Sequence, residues 1–260
     1  MKACYKRRVL MFEPKLSVIT IVYNNVRDIE RTMLSVLGQT YSPIEYIIVD
    51  GLSTDGTLEV INTYQDRISK LISEKDKGIY DAMNKGLAVA TGDYVIFMNS
   101  GDEFYDKDTV AAVFASADEA DIYYGETEMI DDNSQSLGQR RHRAPATFTW
   151  RSFKYGMSIS HQAIYIRRSL TEPYDNMYQL SADIDWIIRA AKKTKKIVNV
   201  NRYVARYLVG GMSKKRHRQS LQERFNIMKR YYGLIPTVFY HFVIAFNLGW
   251  YWLKNKRTND

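Results

Sequence analysis

Two features of this 260-residue sequence predict an α/β fold in which helices flank a mostly parallel sheet. As far as residue 102, short apolar runs rich in β-branched side chains alternate with stretches of helical spacing, and the connections are short. Polar side chains follow the apolar runs, at the place where open parallel sheets bind their ligands. The sequence therefore predicts a binding site at the carboxyl ends of the strands.

The first half of the chain contains four predicted strands separated by three predicted helices. The apolar runs that predict strands are residues 16–23, 46–49, 68–72 and 94–98. Helical spacing falls on residues 25–37, 54–64 and 79–90, and the last of these helices is stopped by Thr91-Gly92. This βαβαβαβ order predicts parallel strands whose carboxyl ends converge on one edge of the sheet.

The second half is less regular, and its predicted elements are shorter. Strands are predicted at residues 121–124, 126–130, 158–166 and 197–200, with a polar turn at 131–138. Helices are predicted at residues 184–191 and, beyond Gly210-Gly211, at 219–232. The sequence contains no internal repeat and no linker long enough to separate two independent domains.

Basic side chains are concentrated near the C terminus, although the net charge of the whole chain is only +8. Residues 1–188 hold 20 basic and 27 acidic side chains, whereas residues 189–260 hold 17 basic and 2 acidic ones. An acidic body with a basic tail indicates an anionic partner for the tail, either nucleic acid or an anionic membrane surface. The composition is that of a globular protein. A single cysteine, Cys4, excludes a disulfide scaffold and a multi-cysteine zinc site, and it favours a reducing cytosol.

The segment 234–253 carries no formal charge, is rich in aromatic side chains and is followed by three cations. Its length is close to that of a membrane span, but Pro236, His241 and Asn247 interrupt the apolar composition. Aromatic residues with flanking cations favour a helix at the membrane headgroup interface. A buried core or dimer helix and a true span are the alternatives, and no signal peptide is evident.

The run Asn99-Ser100-Gly101-Asp102 directly follows a predicted strand. A carboxylate in this place can bind Mg²⁺ or Mn²⁺, which prefer oxygen ligands and share phosphate oxygens with a substrate. The alternative is an ordinary turn, since all four residue types form turns. Asp50 ends another strand and can accept hydrogen bonds from a base or ribose, whereas Asp55 suits the first turn of a helix.

Five sequence pieces occur in order between residues 17 and 189: SVITIVYNN, SVLGQTY, YIIVDGLSTDGT, EKDKGIYDAMNKGLAVATGDYVIFMNSGD and SADIDWIIR. Together they resemble glycosyltransferase family 2, whose members have the Rossmann-like GT-A fold. The forms GIYDAMNKG, MNSGD and SHQAIY are similar to those of bacterial colanic-acid and exopolysaccharide enzymes. The resemblance implies that the chain transfers a sugar from a nucleotide-diphosphate donor.

The resemblance implies nucleotide contacts near the ends of the four predicted strands and in the predicted helix 79–90. The aspartate that contacts the base, usually uracil, corresponds to Asp50. The residues implied to hold the remainder of the nucleotide-sugar are Thr20, Tyr23, Asn24, Asp76, Asn84, Lys85, Asn99 and Ser100.

Two further positions carry the chemistry that the resemblance implies. The run 99–102 matches the DXD metal motif, but it keeps one carboxylate, so Asp102 is the expected ligand of Mg²⁺ or Mn²⁺ and Asn99 can add an amide oxygen. Asp183 matches the catalytic base of the ED motif, of which Ala182 replaces the glutamate. Asp183 as a helix N-cap is the alternative, and Asp185 is expected to support the helix or to pair with a basic neighbour.

Three residues in the second half are expected near the acceptor or the diphosphate. They are His161, Lys215 and His217, of which the last two belong to a basic segment that could close over the diphosphate. For His161 the alternative is a hydrogen-bonded core histidine. For the basic segment the alternatives are a solvated face and contact with anionic lipid.

The predicted function is inverting transfer of a sugar, with UDP as the expected nucleotide and GDP or dTDP as alternatives, because family members often use UDP. The acceptor is a lipid-linked sugar or a polysaccharide of bacterial exopolysaccharide or lipopolysaccharide synthesis, at the cytoplasmic face of the membrane. The expected divisions are a segment 1–14, a catalytic domain 15–205 with halves about 15–105 and 106–205, and a basic, aromatic helical extension 206–260. The alternatives are an inactive nucleotide-sugar-binding scaffold and, less favoured, a nucleic-acid-binding protein, and the last helix allows a homodimer.

Overall fold

The computed structural model describes residues 12–140, 143–156, 159–210 and 216–256. The strands are β1 Leu16–Val22, β2 Ile44–Asp50, β3 Lys70–Ser73, β4 Tyr94–Phe97, β5 Glu103–Phe104, β6 Ile122–Ile130, β7 Ser136–Gln139, β8 Ile164–Arg167 and β9 Ile197–Leu208. The helices are α1 Ile29–Leu37, α2 Thr57–Asn62, α3 Ile79–Val89, α4 Thr109–Ala115, α5 Ala182–Lys192, α6 His217–Tyr232 and α7 Leu234–Lys256.

Over these described ranges, nine strands form one sheet in the order β3-β2-β1-β4-β8-β6-β9-β5, with β7 on β6. The first four strands are parallel, and Val22 of β1 lies opposite Asp50 of β2. The carboxyl ends of these strands therefore meet at one edge, as the alternating pattern predicts. The second half adds antiparallel pairs of β8 with β4 and β6, which bring His161 and its neighbours towards that edge.

Helices cover both faces of the sheet, so β1 is buried along its whole length and reads as a continuous apolar run. Val18 faces the layer formed by α1, α2 and α4, whereas Ile19 faces α3 and α5. Helix α3 approaches β1 closely at Gly86, where an added Cβ would lie 2.5 Å from Ile19 Cγ2. This packing fixes the height of α3 above the strand ends.

The predicted elements of the first half are confirmed, with ends that shift by a few residues. In the second half, the two predicted strands at 121–124 and 126–130 are one strand, β6, with irregular register. The predicted strand 158–166 is wrong over its first part, because residues 161–163 form a 3₁₀ turn before β8. The strand at 197–200 continues to Leu208, where its partly exposed polar residues hide the apolar alternation.

Helix α6 packs on the loop that precedes α5, because the Glu223 carboxylate accepts backbone N–H bonds from Gln179 at 3.1 Å and Leu180 at 2.8 Å. Helix α7 follows, and Ile235 and Phe242 are 82% and 72% exposed. Apart from Thr237, the described side chains of α7 are at least partly exposed, which contradicts the alternative of a buried core helix. In the part of the chain that the structure describes, no helix has the length and apolar character needed to cross a membrane.

Candidate active site

A cleft of about 780 Å³ lies at the carboxyl ends of β1 and β4. Its walls come from the segments after those strands, the start of α3, the loop before α5 and the end of β9. Seven of the residues expected from the sequence line this one cleft: Tyr23, Asp76, Asn99, Ser100, Asp102, His161 and Asp183.

Asp102 is buried at the base of the cleft. Its carboxylate accepts a hydrogen bond from the Leu208 N–H at 3.2 Å and one from Gln162 Nε2 at 3.3 Å. Burial raises the pKa of Asp102 to about 7, although nearby His161 and Arg31 favour the charged form. A cation near this carboxylate would favour its charged form.

Asp183 lies in the first turn of α5, with its carboxylate directed into the cleft. The Tyr80 hydroxyl donates to Oδ1 at 3.4 Å, and His161 Nδ1 lies 3.7 Å from Oδ2. Ser181 occupies the N-cap, so the alternative that Asp183 caps the helix is wrong. Asp183 is therefore available to a ligand.

Asp185 is fully buried on another side of α5 and is confirmed as a supporting residue. Its carboxylate accepts hydrogen bonds from Arg189 Nε and from the Tyr231 hydroxyl, each at 2.7 Å. These contacts account for both of its oxygens. Two carboxylates two residues apart thus have different surroundings, as expected for different faces of a helix.

His161 lies between Asn99 and Asp183. Its Nε2 is 2.9 Å from Asn99 Nδ2, while its Nδ1 faces Asp183. Asn99 Oδ1 is buried and has no hydrogen-bond donor within the described residues. The side chain of His161 lines the cleft, so its position differs from that of an enclosed core histidine.

The opposite wall is formed after β2 and β3. Asp76 Oδ1 accepts a hydrogen bond from the Gly78 N–H at 2.9 Å, and its Oδ2 lies so close to Gly51 that an added Cβ would be 2.4 Å away. Tyr23 is 64% exposed at the mouth of the cleft. Asp50 is buried behind this wall, where it accepts hydrogen bonds from the Ser53 N–H at 3.2 Å and the Ser73 hydroxyl at 2.7 Å.

Five other expected residues do not line the cleft. Thr20 is buried within β1, where its hydroxyl donates to the Met98 carbonyl at 2.7 Å. Asn24 accepts a hydrogen bond from the Thr54 N–H at 2.8 Å and so joins two loops. Asn84 brackets the Tyr174 backbone, Lys85 donates to the Lys75 carbonyl, and His217 is exposed at the start of α6.

Lys215 lies outside the described residues. Sequence reasoning also missed several residues around the expected ones, namely Tyr80, Gln162, Tyr207 and Leu208. Gln162 is adjacent to His161 in the chain, which was the one available signal. Tyr207 and Leu208 come from the part of β9 that the sequence did not predict.

The oxygen and nitrogen atoms at the base of the cleft suit a divalent ion that takes further ligands from a substrate. Asp102 can offer a carboxylate oxygen, and Asn99 can offer its Oδ1, which no described residue contacts as a hydrogen-bond donor. Across the described residues, no three His, Cys, Asp or Glu side chains form a group that could hold an ion.

Comparison with known proteins identifies the family of this chain. The model of glycosyl transferase family 2 matches residues 17–172. A PGL/p-HBAD biosynthesis glycosyltransferase of Mycobacterium bovis is 32% identical over 188 residues, which are 69% of this chain and 70% of the relative. An uncharacterised glycosyltransferase of Mycobacterium tuberculosis is 36% identical over 185 residues, 68% of this chain and 69% of the relative.

Solved structures share the fold at low sequence identity. The Staphylococcus aureus TarS 1–349 complex with UDP has a TM-score of 0.64 at 20% identity, and the match covers 83% of this chain and 65% of that one. The mannosyltransferase PcManGT of Pyrobaculum calidifontis, in complex with GDP-Man and Mn²⁺, has a TM-score of 0.58 at 18% identity. This match covers 88% of this chain and 70% of PcManGT.

Proposed function

The chain belongs to glycosyl transferase family 2, and from this membership we propose that it moves a sugar from a UDP-sugar to a hydroxyl group of a lipid-linked or polysaccharide acceptor, with inversion at the anomeric carbon. The acceptor pathway is bacterial surface glycan synthesis, such as that of exopolysaccharide or lipopolysaccharide. One observation carries the proposal: Asp183 and Asp102 line the same cleft, with His161 between them.

Asp183 is the proposed catalytic base. Its carboxylate accepts the proton of the acceptor hydroxyl as the hydroxyl oxygen forms a bond to the anomeric carbon, and the bond from that carbon to the diphosphate oxygen breaks. Attack opposite the leaving group inverts the anomeric centre. Proton acceptance by a positioned carboxylate is worth about 10²–10⁴-fold in rate. The Tyr80 hydroxyl, 3.4 Å from Asp183, supports the orientation of this carboxylate.

Asp102 and Asn99 Oδ1 are the proposed protein ligands of Mg²⁺ or Mn²⁺, with the remaining ligands supplied by the donor diphosphate. When bound, the ion neutralises negative charge on the departing diphosphate. The buried position of Asp102 and the missing donor at Asn99 Oδ1 support this assignment. The Mn²⁺ in the PcManGT complex is a further argument for a divalent ion.

The proposed nucleotide site is the wall that contains Tyr23, Gly51, Asp76 and Ser100. A flat base can lie against Tyr23, and the absence of a side chain at Gly51 lets the Asp76 carboxylate approach the backbone there. Asp50 supports the loop behind this wall through its bonds to Ser53 and Ser73. UDP is the proposed nucleotide because TarS structures contain UDP and UDP-GlcNAc, whereas GDP remains a competitor through the GDP-Man complex.

Nucleotide binding tests the site. Calorimetric titrations with UDP, GDP and dTDP, each with and without Mn²⁺, should show one preferred nucleotide and a requirement for the ion. Asp102→Asn should remove the ion dependence and weaken nucleotide binding at least tenfold. Asp132→Asn is the matched control, because Asp132 is an exposed carboxylate that lines the same cleft.

Two results would contradict the proposal in different ways. Nucleotide binding that does not respond to Mn²⁺ would retain the transferase and discard the metal assignment. Binding of nucleotide sugar without release of nucleoside diphosphate, across a panel of acceptors, would favour the inactive scaffold.

Helix α7 is the proposed membrane contact, at the cytoplasmic face. Ile235, Phe239, Phe242 and Phe246 recur at helical spacing and are exposed, so they form one apolar face. Lys154, which lies outside α7, contacts the ring of Tyr240 on α7 and so places a positive charge beside this helix. Such a helix can insert its apolar face between anionic headgroups.

Vesicle co-sedimentation tests this contact. The paired substitution Phe242→Ser and Phe246→Ser should weaken binding to phosphatidylglycerol vesicles at least tenfold, whereas Met177→Ser, at an exposed apolar residue outside α7, should not. Unchanged vesicle binding together with a shift from dimer to monomer would overturn the membrane contact in favour of a homodimer helix.

A further inference from the structure

A second, smaller cavity of about 130 Å³ adjoins the cleft beside the proposed base. His161, Leu180, Asp183 and Tyr207 line both spaces. The side chains that line only the smaller cavity are Arg140, Ser160, Gln162 and Arg224. The guanidinium groups of Arg140 and Arg224 therefore line the same small cavity as Asp183. Asn99 and Asp102, from the run that matches the metal motif, do not line it.

Arg224 is held in this place by the packing of α6. The neighbouring Glu223 bonds to the backbone of Gln179 and Leu180, which fixes the helix to the loop that leads to Asp183. Arg224 Nε is buried and has no hydrogen-bond acceptor among the described residues. Within the same residues, no carboxylate forms an ion pair with Arg224. A buried guanidinium N–H without an acceptor raises the free energy of the folded protein, unless a ligand supplies the acceptor.

Arg140 reaches the cavity from the end of β7, and its guanidinium donates a hydrogen bond to the Ser160 hydroxyl. Burial lowers the pKa of Arg140, and the like charge of Arg224 lowers it further, whereas the Tyr207 and Asp183 side chains oppose this shift. Two guanidinium groups thus share the cavity with the Asp183 carboxylate, and the Glu126 carboxylate also acts on Arg140. An anion placed between the two arginines would remove their repulsion.

We propose that this cavity binds a phosphate group of the acceptor, next to the hydroxyl that Asp183 deprotonates. The inference rests on the proposed function and defines the acceptor as a phosphate-bearing molecule. Guanidinium groups bind phosphate through paired N–H donors, and the hydroxyls of Ser160 and Tyr207 add further donors. The volume of the cavity suits one phosphate group, while a sugar ring needs the larger cleft.

We assign the phosphate to the acceptor because the proposed site of the donor diphosphate is in the larger cleft. Asn99 and Asp102, the proposed partners of the diphosphate, line the larger cleft and not this cavity. Asp183 lines both, as expected for a base that lies between donor and acceptor. Gln162 connects the two spaces, since its side chain donates to Asp102 and also lines the smaller cavity.

Calorimetric titration of phosphate compounds into the full chain tests the cavity. Inorganic phosphate, glycerol 1-phosphate and farnesyl phosphate are titrated with UDP and Mn²⁺ at saturation and again without nucleotide. Arg224→Gln should weaken phosphate binding at least tenfold and change UDP affinity less than twofold. Arg218→Gln is the matched control, because Arg218 is an exposed arginine on the same helix and does not line the cavity.

Arg224→Lys and Arg140→Gln complete the series. Lysine keeps the charge but not the paired donors, so it should recover only part of the phosphate affinity. Tighter binding of farnesyl phosphate than of glycerol 1-phosphate would indicate a lipid-linked acceptor, and the reverse order a polyol-phosphate polymer. A variant whose unfolding midpoint falls by more than a few degrees is left out, and the phosphate affinity of Arg224→Lys is then compared with that of the wild type.

Two outcomes would overturn the inference. Phosphate affinity that is the same in Arg224→Gln and wild type would show that the cavity does not bind the anion. Equal losses of UDP and phosphate affinity would assign both arginines to the donor diphosphate. The titrations without nucleotide keep this result separate from the proposed function: if no nucleotide binds, phosphate binding that depends on Arg224 still identifies an anion site.

Discussion

The two edges of the parallel strands each bury a carboxylate, and the two carboxylates differ in their partners. At the amino edge, Glu45 accepts hydrogen bonds from the Ser17 hydroxyl at 2.6 Å and from the Thr91 N–H and hydroxyl at 2.7 and 2.6 Å, with Lys15 Nζ at 3.3 Å. At the carboxyl edge, Asp102 accepts two longer hydrogen bonds from the described residues.

The difference in partners sets opposite pKa shifts. Burial opposes the charge of Glu45, but the hydrogen bonds from Ser17, Thr91 and Lys15 outweigh it and lower the pKa to about 2. Burial dominates at Asp102 and raises its pKa to about 7. A buried carboxylate with its donors inside the protein stabilises the fold, whereas one with few donors is prepared for a ligand. Glu45 at the amino edge is therefore structural, whereas Asp102 at the carboxyl edge is suited to a ligand.

The largest expected effect is on turnover at the carboxyl edge. Asp183→Asn should reduce the rate of sugar transfer about 10³-fold, equivalent to about 4 kcal/mol, because the amide cannot accept the hydroxyl proton. Steady-state release of nucleoside diphosphate measures the rate. Nucleotide affinity and the unfolding midpoint should stay near wild type, and a rate within tenfold of wild type would remove Asp183 as the base.

The second effect is on stability at the amino edge. Glu45→Gln should lower the free energy of unfolding by about 3 kcal/mol, since the charged acceptor of four hydrogen bonds is lost. Denaturant unfolding measures the change. Asp102→Asn is the matched substitution at the other edge, and it should change stability by less than about 1 kcal/mol because its contacts are weaker. Equal losses of unfolding free energy in Glu45→Gln and Asp102→Asn would contradict the proposed difference between the two edges.

Acid should remove the contribution of Glu45. Its folded pKa lies below the ordinary value of 4.5, so the stabilisation is complete above about pH 5 and is lost as the pH falls towards 2. About 2 kcal/mol of the difference between wild type and Glu45→Gln should disappear between pH 5 and pH 3. Unfolding curves of both proteins over this range measure it, and a difference that does not change with pH would contradict the assignment.

The smallest effect is expected between the edges, at Thr20. Thr20→Val should cost about 1 kcal/mol of stability, because the Met98 carbonyl loses its hydroxyl donor inside the sheet. Nucleotide affinity should be unchanged, since Thr20 does not line the cleft. A fall in UDP affinity without a fall in the unfolding midpoint would return Thr20 to the nucleotide site.

The motif residues that lie next to a strand end were the ones whose positions the sequence could predict. Asn99, Asp102 and Tyr23 follow buried strands, and a parallel sheet brings such residues to one edge whatever the rest of the chain does. Asn84 and Lys85 sit in an equally well-matched motif, yet their side chains hold the backbone of Tyr174 and Lys75. The motif fixed their helix but not the direction of each side chain.

The alternation of apolar runs and helical spacing determined the α/β fold, because burial on both faces of a parallel sheet requires continuous apolar strands. The motifs determined the family and pointed to Asp102 and Asp183. Only the tertiary structure decided which carboxylates are satisfied, as Glu45 is by Ser17 and Thr91, and which are not. It also decided that Arg140 and Arg224 meet beside Asp183, since residues 84 positions apart are brought together by folding rather than by any local pattern.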